Sequence, residues 1–407
     1  MHARLLAPWA AFALALPLVS QTPQVLIGNT SAPSLLVRQS LGTCNTQVCP
    51  LGLPAPALNF HGGTAYEALR GNVWVSNGPL IQVVKPGTCA IFCPPFPAPG
   101  PGPVTGLAVL EKQRRIYMSH QGNVISWHAL SCPVSPIGSC PAPVPAGSQI
   151  GGLALSDVKD LIFYSASVWA AGVPANNIVF VAPLQNPCTP ICSFPVPLCG
   201  NNPMGPITGL AFDDCKFVLY ATDGKQTVGL FVNVTAAGCN TQMVSCCPNT
   251  SGTPLIGLCL EAAHATSSGA SCTANPCPAC PTMTAGTIGD ATLANPAFAI
   301  TLSGAPSGGT AYLVLNLGAC SPPGLPIPPF CGPLLVPLGA PGPIVLGGFP
   351  LAGTPPCGGG ATVGLPIPPN PALCGFNLAA QWLVLCPAGG LLGTGVTNCI
   401  TIPISAS

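Results

Sequence analysis

The sequence predicts an all-β, disulfide-rich fold assembled from repeated short sheets. Three observations lead there. Gly (48) and Pro (53) are too dense among 407 residues for coiled coils or long helices. The 23 cysteines, all beyond residue 40, provide cross-links that only an oxidising compartment maintains. A marker of Gly followed by a short apolar strand recurs five times. The charge balance excludes other classes. Ten Lys and Arg against nine Asp and Glu leave a net charge of +1, which gives nucleic acid nothing to hold. An apolar content of 48% is the opposite of a solvated, disordered chain.

Residues 1–20 read as a secretory signal. Arg4 supplies the basic start, Leu5 to Leu18 the apolar run, and Ser20 a small residue before the cut. An N-terminal membrane anchor is the alternative, disfavoured by the shortness of the run and by Pro8 and Pro17. Residues 334 to 351 are also apolar, but Pro337, Pro341, Pro343 and Pro350 prevent a spanning helix. The expected location is therefore secreted or cell envelope, with no transmembrane span after signal removal. The odd cysteine count leaves at least one thiol free or bonded to another chain.

The repeat is explicit between residues 21 and 263. Its first marker appears as Gly63-Thr64-Ala65-Tyr66, Gly106-Leu107-Ala108-Val109, Gly152-Leu153-Ala154-Leu155, Gly209-Leu210-Ala211-Phe212 and Gly257-Leu258-Cys259-Leu260, at steps of 43, 46, 57 and 48 residues. A second strand follows in four units, as in Val73-Trp74-Val75 and Val218-Leu219-Tyr220. Turns such as Ser76-Asn77-Gly78 and Thr222-Asp223-Gly224 come next, where Asn-Gly and Asp-Gly tolerate positive φ. Third strands such as Ile81-Gln82-Val83-Val84 lead into short loops with Cys at either side: Cys89 to Cys93, Cys132 to Cys140, Cys188 to Cys192, and Cys239 to Cys246 or Cys247. Each loop is expected to be a local disulfide staple. An N-terminal half-unit ends likewise in Cys44 and Cys49.

Four short strands per 40–50 residues is the pattern of a β-propeller, whose sheets stack around an axis because none can bury both faces alone. The chain begins with the outer half of one unit and its last marker begins a unit. The first strands are therefore expected to complete the last blade, giving a small, about five-bladed ring. A row of unrelated hairpins or a sandwich is the alternative. The segments Ile207 to Asp213 and Val218 to Gly224 resemble blades of the YVTN and NHL β-propeller families. That resemblance implies a toroid with a central channel, used by different members for protein binding, ligand binding or catalysis. The cysteine loops depart from the pattern of those families.

Propeller topology sorts the loops onto two faces. One collects Asn77, His120, Gln121 and Asp223, the insert to Asn177 containing Trp169, and the channel-mouth residues His61, Thr105 and Thr208. These are the candidate ligand-binding residues, since loops on a rigid scaffold converge there. Asn-Gly and Asp-Gly are equally ordinary turn chemistry. The other face collects Glu111, Lys112, Arg114, Arg115, Asp157, Lys159, Asp160, Asp213, Asp214 and Lys216, expected to be solvated hairpin turns.

Catalytic motifs are absent: there is no Gly-x-Ser-x-Gly elbow, His-Glu-x-x-His or phosphate loop. No catalytic residue, cofactor or metal is expected. His264, Cys272, Cys277 and Cys280 form the one set that zinc would accept, but the compartment favours disulfides among these cysteines and Cys259. Asn29, Asn233 and Asn249 open glycosylation sequons.

Residues 264–289 read as a Cys-rich linker and 290–407 as a C-terminal β-sandwich. After Asp290 there is no Asp, Glu, Lys, Arg or His. Its cysteines 320, 331, 357, 374, 386 and 399 are even in number and able to pair internally, with Cys386 and Cys399 among the candidates. The passage Leu373 to Leu385, containing Gln381-Trp382, resembles C-terminal β-domains of exported proteins of environmental bacteria. It implies an accessory domain. A surface without charge is expected to dock on the propeller, on another copy, or on envelope material.

The resulting expectation is a non-enzymatic exported scaffold for a protein or carbohydrate partner, with self-association through the uncharged domain. Two alternatives stand beside it. One is an extracellular propeller lyase or hydrolase, which needs two of His61, His120, Asp223 and Glu67 at one pocket. The other is a purely structural envelope component.

Overall fold

The computed structural model describes residues 25–30, 35–40, 46–51, 53, 62–86, 88–170, 174–199, 203–248, 254–273, 277–280, 283–388 and 391–405. The signal read at residues 1–20, His61, Cys44, Asn249 and the side chain of Cys49 lie outside the described residues.

Strands β1 (Val25–Asn29), β2 (Leu35–Ser40) and β3 (Thr46–Pro50) open the chain. Four antiparallel sheets follow in strict succession. The first holds β4 (Gly63–Glu67), β5 (Asn72–Ser76), β6 (Leu80–Val84) and β7 (Ile91–Pro97). Next come β8 (Val104–Leu110), β9 (Arg115–His120), β10 (Val124–Ala129) and β11 (Ser135–Pro141). The third holds β12 (Ser148–Ser156), β13 (Leu161–Val168), β14 (Ile178–Pro183) and β15 (Cys192–Pro195). The fourth holds β16 (Gly209–Asp213), β17 (Val218–Thr222), β18 (Gln226–Thr235) and β19 (Gly238–Pro248). Then β20 (Cys259–Glu261) pairs antiparallel with β1, Leu26 opposite Leu260, and completes a fifth sheet in the order β20-β1-β2-β3. The two ends of the repeat region thus share one blade.

The ring is closed by packing as well as by pairing. Each inner strand touches the next: β4 with β8, β8 with β12, β12 with β16, β16 with β20, and β20 with β4. Five apolar clusters fill the five gaps between blades. One joins Tyr117 and Ile125 to Ile150 and Tyr164; another joins Leu26, Leu258 and Leu260 to Ala211 and Tyr220. Both faces of an inner sheet are therefore buried, which is why these strands are continuous apolar runs.

The marker glycines explain how the inner strands come so close. A Cβ on Gly63 would lie 2.6 Å from the amide N of Leu107, one on Gly106 2.8 Å from that of Leu153, and one on Gly152 2.9 Å from that of Leu210. On Gly209 it would lie 2.7 Å from the amide N of Leu258, and on Gly257 2.6 Å from that of Thr64. Each marker abuts the next around the circle, so any side chain would push two blades apart.

Disulfides then tie the blades together, in a pattern that corrects the expected local staples. Cys93 bonds Cys132, Cys140 bonds Cys188, Cys192 bonds Cys239 and Cys199 bonds Cys246. Each bridge crosses from one blade to the next over 39 to 48 residues. The physical reason is position: the outer part of each blade faces the neighbouring blade, so its cysteines meet sulfurs there and not those of their own loop. Cys89 and Cys247 are also disulfide-bonded.

The C-terminal unit has two sheets. In one, β25 (Thr310–Leu317) lies between β28 (Ile344–Pro350) and β30 (Asn377–Ala388), and β30 pairs with β31 (Leu391–Pro403). Strands β21 (Thr266–Ser268) and β22 (Cys272–Thr273) also pair with β31. The other sheet is β23 (Thr284–Ile288), β24 (Ala299–Ala305) and β29 (Gly359–Gly364). A small hairpin, β26 (Leu325–Pro326) and β27 (Pro333–Leu334), stands apart. One core holds Ile300 and Leu302 of the smaller sheet with Leu313, Trp382 and Ile402 of the larger. Residues 264–289, read as a linker, thus supply three strands to this unit.

The cysteine pairing here also differs from the expectation. Cys272, Cys277 and Cys280 do not pair with one another but reach Cys331, Cys386 and Cys357. Only Cys320–Cys399 pairs within 290–407, and Cys374 bonds Cys215 of the propeller. Antiparallel strands distant in sequence bring these sulfurs together, which spacing alone does not encode.

Two outcomes check this fold. Gly209→Ala is expected to destabilise the protein by about 3 kcal/mol in urea unfolding through overpacking. Gly364→Ala, with nothing within 4 Å of the added atom, is expected to cost under ~0.5 kcal/mol. Equal costs would refute the ring contact. Mass spectrometry of a non-reduced digest is expected to recover Cys93–Cys132, Cys140–Cys188 and Cys215–Cys374, and not peptides closed by Cys132–Cys140.

Candidate functional site

On the face that collects the predicted binding residues, here the upper face, the side-chain polar groups of Asn77, Thr105, His120, Asn177, Thr208 and Asp223 are turned to neighbouring chain. Asn77 Oδ1 accepts from the Leu80 amide at 3.1 Å, closing its turn. Thr105 donates to Ser119 Oγ at 3.0 Å. The Gln121 backbone N–H donates to the Pro103 carbonyl at 2.9 Å. Thr208 donates to the Leu255 carbonyl at 2.7 Å, crossing to the next blade. The half-buried Trp169 ring lies against Gly151. Asn177 and Asp223 are brought together on one residue: Asn177 donates to the Gly205 carbonyl and Asp223 accepts from the Gly205 amide, both at 2.9 Å. The same stitching uses Asn29, which accepts from Thr64 at 2.7 Å and donates to the Ser76 carbonyl at 3.0 Å.

His120 forms a constellation that the sequence did not announce. Its Nε2 lies 2.7 Å from Ser126 Oγ, which lies 2.8 Å from His128 Nε2. Its Nδ1 lies 2.9 Å from the Gly102 carbonyl. A serine between two imidazoles suggests a nucleophile with its base. Access decides otherwise. All three side chains are at most 3% exposed, and a Cβ on Gly100 would lie 2.3 Å from His120 Cε1. Burial lowers both histidine pKa values, that of His128 to about 4, so the imidazoles are neutral cross-ties. His120, Asp223 and Glu67 lie in separate hydrogen-bond networks.

The lower face corrects the expectation of solvated turns. Glu111, Asp157, Asp213 and Asp214 are all buried. The turn after β12 and the turn after β16 interlock: Ser156 donates to Asp214, and the Asp157 amide donates to Asp214 Oδ2 at 2.9 Å. Glu67, fully buried, accepts from Trp74 Nε1 at 3.0 Å, Arg70 at 2.8 Å and Arg114 of the next blade at 3.0 Å. Lys112 pairs with Asp160. The C-terminal unit docks at this end of the ring. Val158 and Cys215 pack against its core, and Cys215–Cys374 fastens it covalently.

A polar latch completes the junction. Tyr66 donates to Asp290 Oδ2 at 2.6 Å, and the Asp290 amide donates to the Ala68 carbonyl at 3.0 Å. His264 lies between Asp290 Oδ1 at 2.9 Å and Glu261 Oε1 at 3.3 Å. Arg38 pairs with the same Glu261 at 2.6 Å. The hydrogen bonds to Asp290 and Glu261 raise the His264 pKa to about 10, so it is a cation at neutral pH.

Between the glycine circle and this latch lies a small axial cavity of about 50 Å³. Three consecutive residues from each of the five inner segments line it, with Asp157 at its lower end. The middle residues are Ala65, Ala108, Ala154, Ala211 and Cys259. Cys259 is the one free thiol among the described residues, and burial pushes its pKa well up, so it stays protonated and unreactive. Cys272, Cys277 and Cys280 are all oxidised to disulfides and hold no sulfur for zinc. The residue at this cavity that sequence reasoning misplaced is Asp157, expected in a solvated turn. Its charge was visible, but its burial depends on neighbouring turns.

No family model matches the sequence, and no curated protein matches it. Among solved structures, the chain is similar to one in a crystal structure of a nidogen/laminin complex, at 13% identity and a TM-score of 0.37, covering 59% of this chain and 98% of that one. It is also similar to the Cps50 (Swd1) β-propeller domain of Myceliophteria thermophila, at 9% identity and a TM-score of 0.35, covering 71% and 81%. Neither likeness bears on activity. The propeller is established by this chain's own strand pairing.

The latch gives a pH dependence with a defined sign. The folded His264 pKa of about 10 exceeds its ordinary 6.5, so its contribution is complete below about pH 6.5 and is lost as pH rises through 10. The side chain is 50% exposed, which limits the effect to under ~1 kcal/mol. His264→Gln is expected to flatten the fall in urea stability between about pH 7 and 10. An unchanged slope would refute the assignment.

Proposed function

We propose that the protein is a non-enzymatic exported scaffold that binds a protein or carbohydrate partner at the cell surface or outside the cell. The observation that carries this reading is the outer circumference of the ring. Ile91, Ile137, Ile191, Leu198, Met243 and Val244 lie on or beside the outermost strands and are 45% to 57% exposed. Exposed apolar groups on a nearly uncharged rim favour contact with another protein surface. The interblade disulfides support it, because a covalently tied ring holds such a rim in place without partner-induced ordering. Nine disulfides among the described residues suit an oxidising, extracellular setting. No helix among the described residues is long and apolar enough to cross a membrane.

The C-terminal unit we read as a β-sandwich accessory domain. Its first docking partner is the propeller itself, through Cys215–Cys374 and the Asp290 latch. Self-association through its other surfaces rests on the edge strand β28, where Ile344 and Val345 are exposed.

The test is a triple substitution, Ile91→Lys, Ile137→Lys and Ile191→Lys, scored by retention of the purified protein on cell-surface material from its source. Retention is expected to fall at least about tenfold while the melting temperature stays within a few degrees. Unchanged retention would remove the rim from the reading.

A further inference from the structure

Charge in this protein is sorted by depth. Seven of the nine carboxylates are buried, Asp160 and Asp223 being the exceptions, whereas no Lys or Arg among the described residues is buried. A net charge of +1 therefore conceals a surface on which the accessible ionic groups are mostly cations.

The cations converge at the lower end of the first blade. Arg70 and Arg114 of the next blade both donate to Glu67 Oε1, at 2.8 and 3.0 Å, so their guanidiniums lie side by side. Glu67 is fully buried beneath them, while the two arginines are 42% and 33% exposed. Arg70 also reaches across the blade to β7, 5.8 Å above the Phe92 ring centroid. Lys85 leaves β6 between these points, because Val84 pairs with Val73 on one side and with Ile91 on the other. Lys85 is exposed, and the partly exposed Arg115 follows Arg114 in the chain. Neither Lys85 nor Arg115 forms an ion pair among the described residues. Four cations thus face two buried carboxylates, Glu67 and Glu111. Burial outweighs Arg114 at Glu111 and raises its pKa, which weakens it as an anion.

The surroundings define what fits. A guanidinium carries five N–H donors in a fork that matches a carboxylate, and Arg70 spends its Nη1 on Glu67. Beside it Ile91 and Phe92 are 57% and 48% exposed, so apolar surface adjoins the charge. An extended acidic peptide would dock by pairing with the edge strand β7. Pro94, Pro95 and Pro97 remove the amides that such pairing needs. A sugar acid needs no ladder. Its pyranose ring offers C–H faces to Ile91 and Phe92, and its carboxylate suits the guanidiniums. Successive acid groups on one polymer can meet Lys85, Arg70 and Arg114 in turn.

We propose that this cluster binds an acidic polysaccharide of the uronate class. The proposal rests on the exported-scaffold reading and names the chemistry of the partner at this end of the rim.

The test is affinity electrophoresis of the full chain through gels holding polygalacturonate, neutral dextran or poly-L-glutamate at low salt. Polygalacturonate is expected to bind at least about tenfold more tightly than dextran, and about 0.5 M salt is expected to abolish the difference. Arg70→Gln with Lys85→Gln is expected to lower that affinity about tenfold. Lys225→Gln, on the opposite face, is expected to change it by less than about twofold. Should the double variant fail to fold, Lys85→Gln alone reads the same loss at an exposed position. Equal retardation by dextran, unchanged binding in the Lys85 variants, or an equal loss in Lys225→Gln would each overturn the proposal. Poly-L-glutamate bound as tightly as polygalacturonate would overturn the uronate assignment in favour of an acidic protein. Absent uronate binding with rim-dependent retention on cell-surface material intact removes this ligand alone, whereas loss of both removes the scaffold reading.

Discussion

Everything in this protein depends on five inner strands approaching one another at backbone distance around a common axis. That approach is possible only where there is no side chain, and Gly63, Gly106, Gly152, Gly209 and Gly257 supply the gap in turn. Once the circle forms, each sheet has a neighbour on both faces, and the apolar clusters between blades follow. The pairing of β20 with β1 is a consequence of the same geometry. The last blade starts with β20 alone, and β1, β2 and β3 complete it. Closure removes the open ends that an unclosed stack of sheets would leave.

A chain with 5% charged residues must control its outer edges by other means. Soluble β proteins usually blunt an edge strand with Lys or with proline. Here proline does it: Pro94, Pro95 and Pro97 in β7, Pro136 and Pro141 in β11, Pro195 in β15 and Pro248 in β19. Proline removes the amide that a second chain would pair with, at a position where no ladder bond is lost. The same outermost strands carry the interblade cysteines. Each bridge closes a loop of roughly 40–50 residues, worth roughly 4 kcal/mol in the chain-entropy model. The rim is therefore rigid, apolar and poorly able to add strands, which suits side-chain contact with a partner.

Charge is concentrated instead at the lower end of the axis, where it is spent inside the molecule. Glu67, Glu111 and Asp214 each receive hydrogen bonds from a neighbouring turn or blade. The C-terminal unit docks at this end and adds Asp290, the last charged residue of the chain, to the set. Beyond Asp290 it brings no further ions to a junction already dense with carboxylates. Asp157 lies buried among them, at the wall of the axial cavity.

Much of the architecture was legible along the chain because its determinants are local. The recurrence of Gly63 and its four equivalents, the Asn77-Gly78 and Asp223-Gly224 turns, and the apolar runs around Val73 and Val218 are set by sterics and periodicity within a few residues. They determined strands, turns and the repeat. Which sulfur meets which was decided only by the fold. Cys140 lies near Cys132 in sequence, yet its bond runs to Cys188, because blade stacking sets the distances between outer strands. Burial was likewise invisible: Asp157 and Asp160 belong to one turn, but only Asp157 is buried, at the wall of the axial cavity. Local residues choose conformation. Partners, burial and proton affinity depend on surfaces that meet only after the circle has closed.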